Sequence, residues 1–219
     1  MRREALIVLV GITAGRNKRR QVLHFFSRNS DYEVFVPPLP YRTDMQACAA
    51  WLHGYLDDTV QPARYDAVHA IAYIAGGLVL RCLEREYIPT FERLVQFRSP
   101  IQEQVAAALV RRLGRRLTGW LGGRAVLDLA DDWPQALPPP RCARQHGLII
   151  ELGRSRMARL LGINRGSDEE WTPERLLPGA ADVLRVAASH DDVYSAEPVL
   201  AAALQFIRTG HFPAPGAID

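Results

Sequence analysis

The chain has 219 residues, 48% of them hydrophobic, with a formal net charge of +3. That is enough chain for one sizeable α/β domain or two small ones, and the charge is too small to point to nucleic acid. No apolar run approaches the roughly 20 residues needed to span a membrane.

Residues 4–10 form a continuous apolar run, as a strand buried on both faces requires. Two arginines precede it, but the run is too short for a signal peptide and no small-residue cleavage site follows, so the expected location is cytoplasmic. Gly11-Ile-Thr-Ala-Gly15 is a loop; no G-K-[ST] follows it, so a phosphate loop is not indicated. Residues 18–28 carry Val22, Phe25 and Phe26 on a helical stripe, and residues 32–36 are a strand stopped by Pro37-Pro38-Leu39-Pro40. Asp44 is placed to cap a helix bearing Met45, Ala49, Leu52 and Leu56 on one face.

Residues 67–73 read as a strand, 76–85 as a helix and 94–97 as a strand closing at Ser99-Pro100. Residues 101–121 read as one long helix, with Ile101, Val105, Leu109, Leu113 and Leu117 spaced by four. Arg111, Arg112, Arg115 and Arg116 fall off that stripe, as solvated surface arginines do. Residues 122–145 are irregular, 147–152 and 183–188 are strands, and 197–208 close the chain as a helix. This alternation predicts an α/β fold, a mainly parallel sheet with helices on both faces, in a single domain spanning residues 1–219. Cys48, Cys82 and Cys142 are widely spaced and odd in number, which gives neither a zinc site nor a disulfide framework.

The most informative segment is Asp66–Arg81, an apolar strand entering an apolar helix through Ala72-Tyr73-Ile74-Ala75-Gly76. That layout matches the G-x-S-x-G nucleophile elbow. The small residues two before and two after the centre are present, and the serine is not. An aliphatic side chain cannot attack a carbonyl, so Ile74 excludes conventional serine chemistry at this turn.

In element order the chain resembles a compact α/β-hydrolase of the bacterial esterase and lipase kind. Val10-Gly11 stands where that family usually has His-Gly, and the strand after the elbow ends in Phe97-Arg-Ser-Pro100. Leu177-Pro-Gly-Ala-Ala-Asp182 leads to Val186-Ala-Ala-Ser-His190, and Phe206-Ile-Arg-Thr-Gly-His-Phe212 is similar to the family's final helix and exit. The resemblance implies that His190 holds the catalytic histidine's place. It implies that Asp168, in Gly166-Ser-Asp-Glu-Glu170, is the best match to the acid, with Glu169 where a glycine is usual and Glu170 and Asp182 as alternatives. It implies oxyanion-type backbone donors at Ala75 and at Gly11 or Ile12, and no metal or cofactor.

The resemblance and the missing serine together imply a pseudo-hydrolase, which binds a small apolar or acyl ligand or a protein partner. Two alternatives stand beside it. One is a nucleophile-free enzyme of lyase, isomerase or cofactor-free oxygenase type, using a His190–Asp168 general base. The other is a hydrolase with a displaced nucleophile, for which Thr13, Cys82, Ser99, Ser189 and Ser195 are the nominal candidates.

Overall fold

The computed structural model describes residues 2–12, 14–73, 75–84, 90–97, 105–131, 137, 141–163 and 177–214. Its centre is a six-stranded, wholly parallel sheet in the order β2-β1-β3-β4-β5-β6. The strands are β1 (Glu4–Leu9), β2 (Glu33–Phe35), β3 (Ala67–Ala72), β4 (Phe91–Phe97), β5 (Ala143–Gly153) and β6 (Asp182–Ser189). All six residues of β3 are buried, His69 among them, as a central parallel strand covered on both faces requires. Strand order reverses between β1 and β3, so the cleft at the sheet's topological switch point opens beside these two carboxyl ends.

Helices cover both faces, and the sheet separates the two main cores. On one face, α2 (Met45–Tyr55) and α3 (Ala75–Leu83) pack Met45, Leu52 and Val79 against the sheet. Asp44 caps α2 as expected, its Oδ1 accepting the Ala47 N–H at 2.8 Å. On the other face, α1 (Arg16–Asn29) and α7 (Glu197–Thr209) bury Val22, Phe26, Leu204 and Phe206. Cys48, Cys82 and Cys142 are buried and unbridged.

Between β4 and β5 the structure departs from the predicted helix. Residues 101–104 lie outside the described residues, and α4 (Val105–Gly122) is broken at Gly114, where φ is +77°. The four-residue stripe does not form one buried face: Leu113 before the break and Leu117 after it are 42% and 44% exposed. The segment taken as irregular contains a short helix, α5 (Arg124–Ala130), packed back on α4, and α6 (Arg156–Leu160) follows β5.

Two histidines make the fold acid-sensitive. His69 in β3 is buried near Glu4, its Nε2 3.5 Å from Glu4 Oε2, and burial lowers its pKa despite that carboxylate. Burial also lowers that of His146 in β5. Each therefore binds its proton more readily in the unfolded chain. Their contribution to stability is complete above about pH 6.5 and is lost as pH falls below it. The urea midpoint should drop between pH 7 and pH 5, with up to about 1.4 kcal/mol per pH unit from each histidine. The drop should shallow in His146→Gln; an unchanged slope would remove His146 from the account.

Candidate functional site

The strand ends of β1, β3, β4, β5 and β6 meet at one edge of the sheet, and the elbow lies there. Tyr73 follows β3 and Ala75 is the first residue of α3. Ile74, between them, lies outside the described residues. The flanks are tightly placed. The Tyr73 N–H donates to the Leu9 carbonyl at 2.8 Å, and the Gly76 N–H donates to the Tyr73 carbonyl at 2.7 Å.

Tyr73 is fully buried and stacked on both sides. Its ring centroid lies 4.2 Å from that of Phe97 and 4.6 Å from that of Tyr194, with interplanar angles of 15° and 28°. Lys18 Nζ sits 4.9 Å from the Tyr194 ring centroid on α1's side. Burial pushes the Tyr73 and Tyr194 phenols well above their usual range, and nearby Glu151 acts in the same direction. Both remain neutral hydroxyls.

Tyr194 changes the expected oxyanion loop. The Gly11 N–H donates to the Tyr194 hydroxyl oxygen at 3.0 Å, so this donor is already used inside the protein. The Tyr41 hydroxyl donates to the Val10 carbonyl at 2.6 Å and pins the same loop from the other side. Ala75, in the first turn of α3, keeps its N–H outside the helix's own hydrogen-bond ladder. Ile12 is part-buried and lines the neighbouring cleft.

His190 follows β6 directly, and a carboxylate lies beside it. Its Nδ1 is 3.2 Å from Oε2 of Glu151 in β5, a fully buried side chain. Asp168, together with Glu169 and Glu170, lies outside the described residues. Asp182 starts β6 at the opposite end from His190, and its Oδ2 accepts the Phe212 N–H at 2.8 Å, so it is not His190's partner. The sequence reading did not consider Glu151. Its signal was a lone carboxylate inside the apolar run Leu148-Ile-Ile-Glu-Leu152, where burying a charge is costly without a partner. The β5–β6 register shifts between Glu151 and Gly153, which places an irregularity beside His190.

The nominal displaced nucleophiles fare poorly. Cys82 is buried in α3, the Ser189 hydroxyl donates to Asp192, and the Ser195 hydroxyl donates to the Asp192 carbonyl. Thr13 and Ser99 lie outside the described residues.

Above Val10, Gly11 and Ile12 opens a cleft of about 820 Å³. Leu39, Leu109, Leu113 and Val126 form its apolar walls, and Arg16, Arg19 and Arg42 are its charged lining. Neither His190 nor Glu151 lines it. Among the described residues no group of three or more His, Cys, Asp or Glu side chains is placed to hold a metal ion, and no helix is long and apolar enough to cross a membrane.

The parallel, doubly wound sheet with helices on both faces is the α/β-hydrolase fold, and solved structures agree. A chain of the metagenome-derived lipolytic enzymes LipS and LipT superposes with a TM-score of 0.66, at 13% identity, over 94% of both chains. The Bacillus licheniformis lipase BlEst2 gives 0.64 at 16% identity, over 94% of this chain and 91% of its own. The α/β hydrolase MGS-MChE2, from the metagenome of sediments from the lagoon of Mar Chica, Morocco, gives 0.59 at 16% identity, over 94% and 92%. At these identities the likeness concerns the fold. No protein-family model matches the sequence, and no curated protein matches it.

Proposed function

We propose that this protein is a non-hydrolytic α/β-hydrolase-fold protein that binds an apolar ligand in the cleft above the Val10–Gly11 loop. The observation that carries this reading is the separation of cleft and dyad: among the described residues, the apolar cleft beside the Val10–Gly11 loop is lined by neither His190 nor Glu151. Ile74 removes the nucleophile, and the Tyr194 hydroxyl occupies a donor that an oxyanion would need. A panel of p-nitrophenyl esters and a fluorophosphonate probe should give neither turnover nor labelling.

A second reading rests on the His190–Glu151 contact. A buried carboxylate on Nδ1 fixes the imidazole tautomer and leaves Nε2 as a general base. Turnover of any substrate by the parent protein that vanishes in His190→Ala would favour this nucleophile-free enzyme over the binding protein.

Restoring the hydroxyl separates the two further. Ile74→Ser should remain inactive towards short-chain esters, because a serine needs an aligned base and a free oxyanion hole held within roughly 0.5 Å. Adding Tyr194→Phe frees the Gly11 N–H, and adding Val10→His restores the resembled family's residue at the loop. Strong turnover by Ile74→Ser alone would mean that the remaining machinery is aligned and would defeat the binding reading.

A further inference from the structure

The cleft carries positive charge that no described lining residue balances. Arg16, Arg19 and Arg42 line it, and no Asp or Glu does. None of the three forms an ion pair among the described residues. Arg19 Nη2 donates to the Val36 carbonyl at 3.0 Å, while its Nε is buried without a hydrogen-bond partner among the described residues. Arg42 Nη2 reaches the Trp120 carbonyl only at 3.3 Å. Gly15 and Arg16 bring the N-terminus of the 14-residue α1 to the same lining; its first turn holds no acidic residue and no side-chain cap. Like charges beside a low-dielectric wall repel one another, and an anion between them relieves that repulsion.

The rest of the lining specifies the other half of the ligand. It is aliphatic, with Tyr41 as its only described aromatic side chain, so it suits a flexible chain better than a stacked base. Its volume falls within the roughly 300–1,000 Å³ of small-molecule sites. Leu113, Leu121 and Met157 line the cleft yet are 42%, 56% and 43% exposed, which makes its rim apolar too.

We propose that the cleft binds a single-chain anionic amphiphile, its acyl chain along Leu39, Leu109 and Leu113 and its anionic head among Arg16, Arg19 and Arg42. A neutral ester would leave the guanidinium groups unused, whereas a carboxylate or phosphate accepts their forked N–H donors. This rests on the binding reading above and adds the class of ligand.

The test is displacement of a fluorescent fatty acid from the full chain by palmitate, hexadecanol, acetate and palmitoyl-lysophosphatidate. Palmitate or lysophosphatidate should displace it at least about ten-fold better than hexadecanol, and acetate should not displace it. Either anion supports the proposal, and the ratio of the two names the head group. Raising the salt concentration should weaken the anions and leave hexadecanol unchanged. Arg16→Gln, at an exposed position, and Arg19→Gln should each weaken the anions several-fold and spare hexadecanol. Equal displacement by palmitate and hexadecanol, displacement by none of the four, or insensitivity of palmitate to both salt and the arginine variants would overturn the proposal. Such a failure leaves the binding reading standing so long as esters are not hydrolysed. Ester turnover lost in His190→Ala would sink that reading whatever palmitate does.

Discussion

Gly76→Ala should lose about 2–3 kcal/mol of folding stability, read as a fall in the urea midpoint. A Cβ at this position would lie 2.6 Å from the Leu9 carbonyl oxygen and 2.7 Å from Leu9 Cβ. Leu9 cannot step aside. It pairs with Ala72 in the sheet, its carbonyl accepts the Tyr73 N–H, and it is fully buried. The new methyl must therefore push α3 outward, although eight of that helix's residues are buried. The helix-propensity gain of up to about 1 kcal/mol for Gly→Ala does not offset this. Gly77→Ala is the control, because its Cβ would meet only the Gln96 side chain, at 3.0 Å, which can give way. Gly77→Ala should be near neutral. Equal effects from the two variants would remove close helix–sheet approach as the reason for Gly76.

The strand before residue 74 and the helix after it were legible in the sequence. The small residues Ala72 and Gly76, two before and two after Ile74, marked the turn in the sequence, and the structure brings Gly76 against Leu9 at the end of β1, itself marked by its apolar run. The order elbow then histidine placed Tyr73 and His190 at the same edge of the sheet. Other features depended on contacts between distant segments. Glu151 was hidden because an apolar strand was read as packing alone, and nothing local marks a carboxylate that meets a histidine 39 residues later. The Tyr194–Gly11 bond joins residues 183 apart, and tyrosine has no spacing signature for such a role. In α4 the four-residue period was real in the sequence, but Gly114 at positive φ broke the helix that would have expressed it.

Tyr73 combines both kinds of information, and its two simplest variants should differ sharply in stability. Tyr73→Ala removes a fully buried ring stacked between Phe97 and Tyr194, and should cost about 3–5 kcal/mol. Collapse around the void is limited, since both neighbours are themselves buried and Tyr194 is tied to the Gly11 N–H. Tyr73→Phe keeps the stack and deletes only the hydroxyl, which is buried without a hydrogen-bond partner among the described residues. Burying that group costs free energy that no contact returns, so Tyr73→Phe should be neutral or stabilising by about 1 kcal/mol. Denaturant midpoints of the two variants beside the parent decide it. A loss in Tyr73→Phe comparable to that in Tyr73→Ala would mean that the hydroxyl holds a structural bond, and the site would then be a polar network rather than an aromatic stack. If the stack is the structure, the region beneath the elbow is a rigid plug. Ligand chemistry then belongs to the cleft beside it, and Tyr73→Phe should leave binding there unchanged.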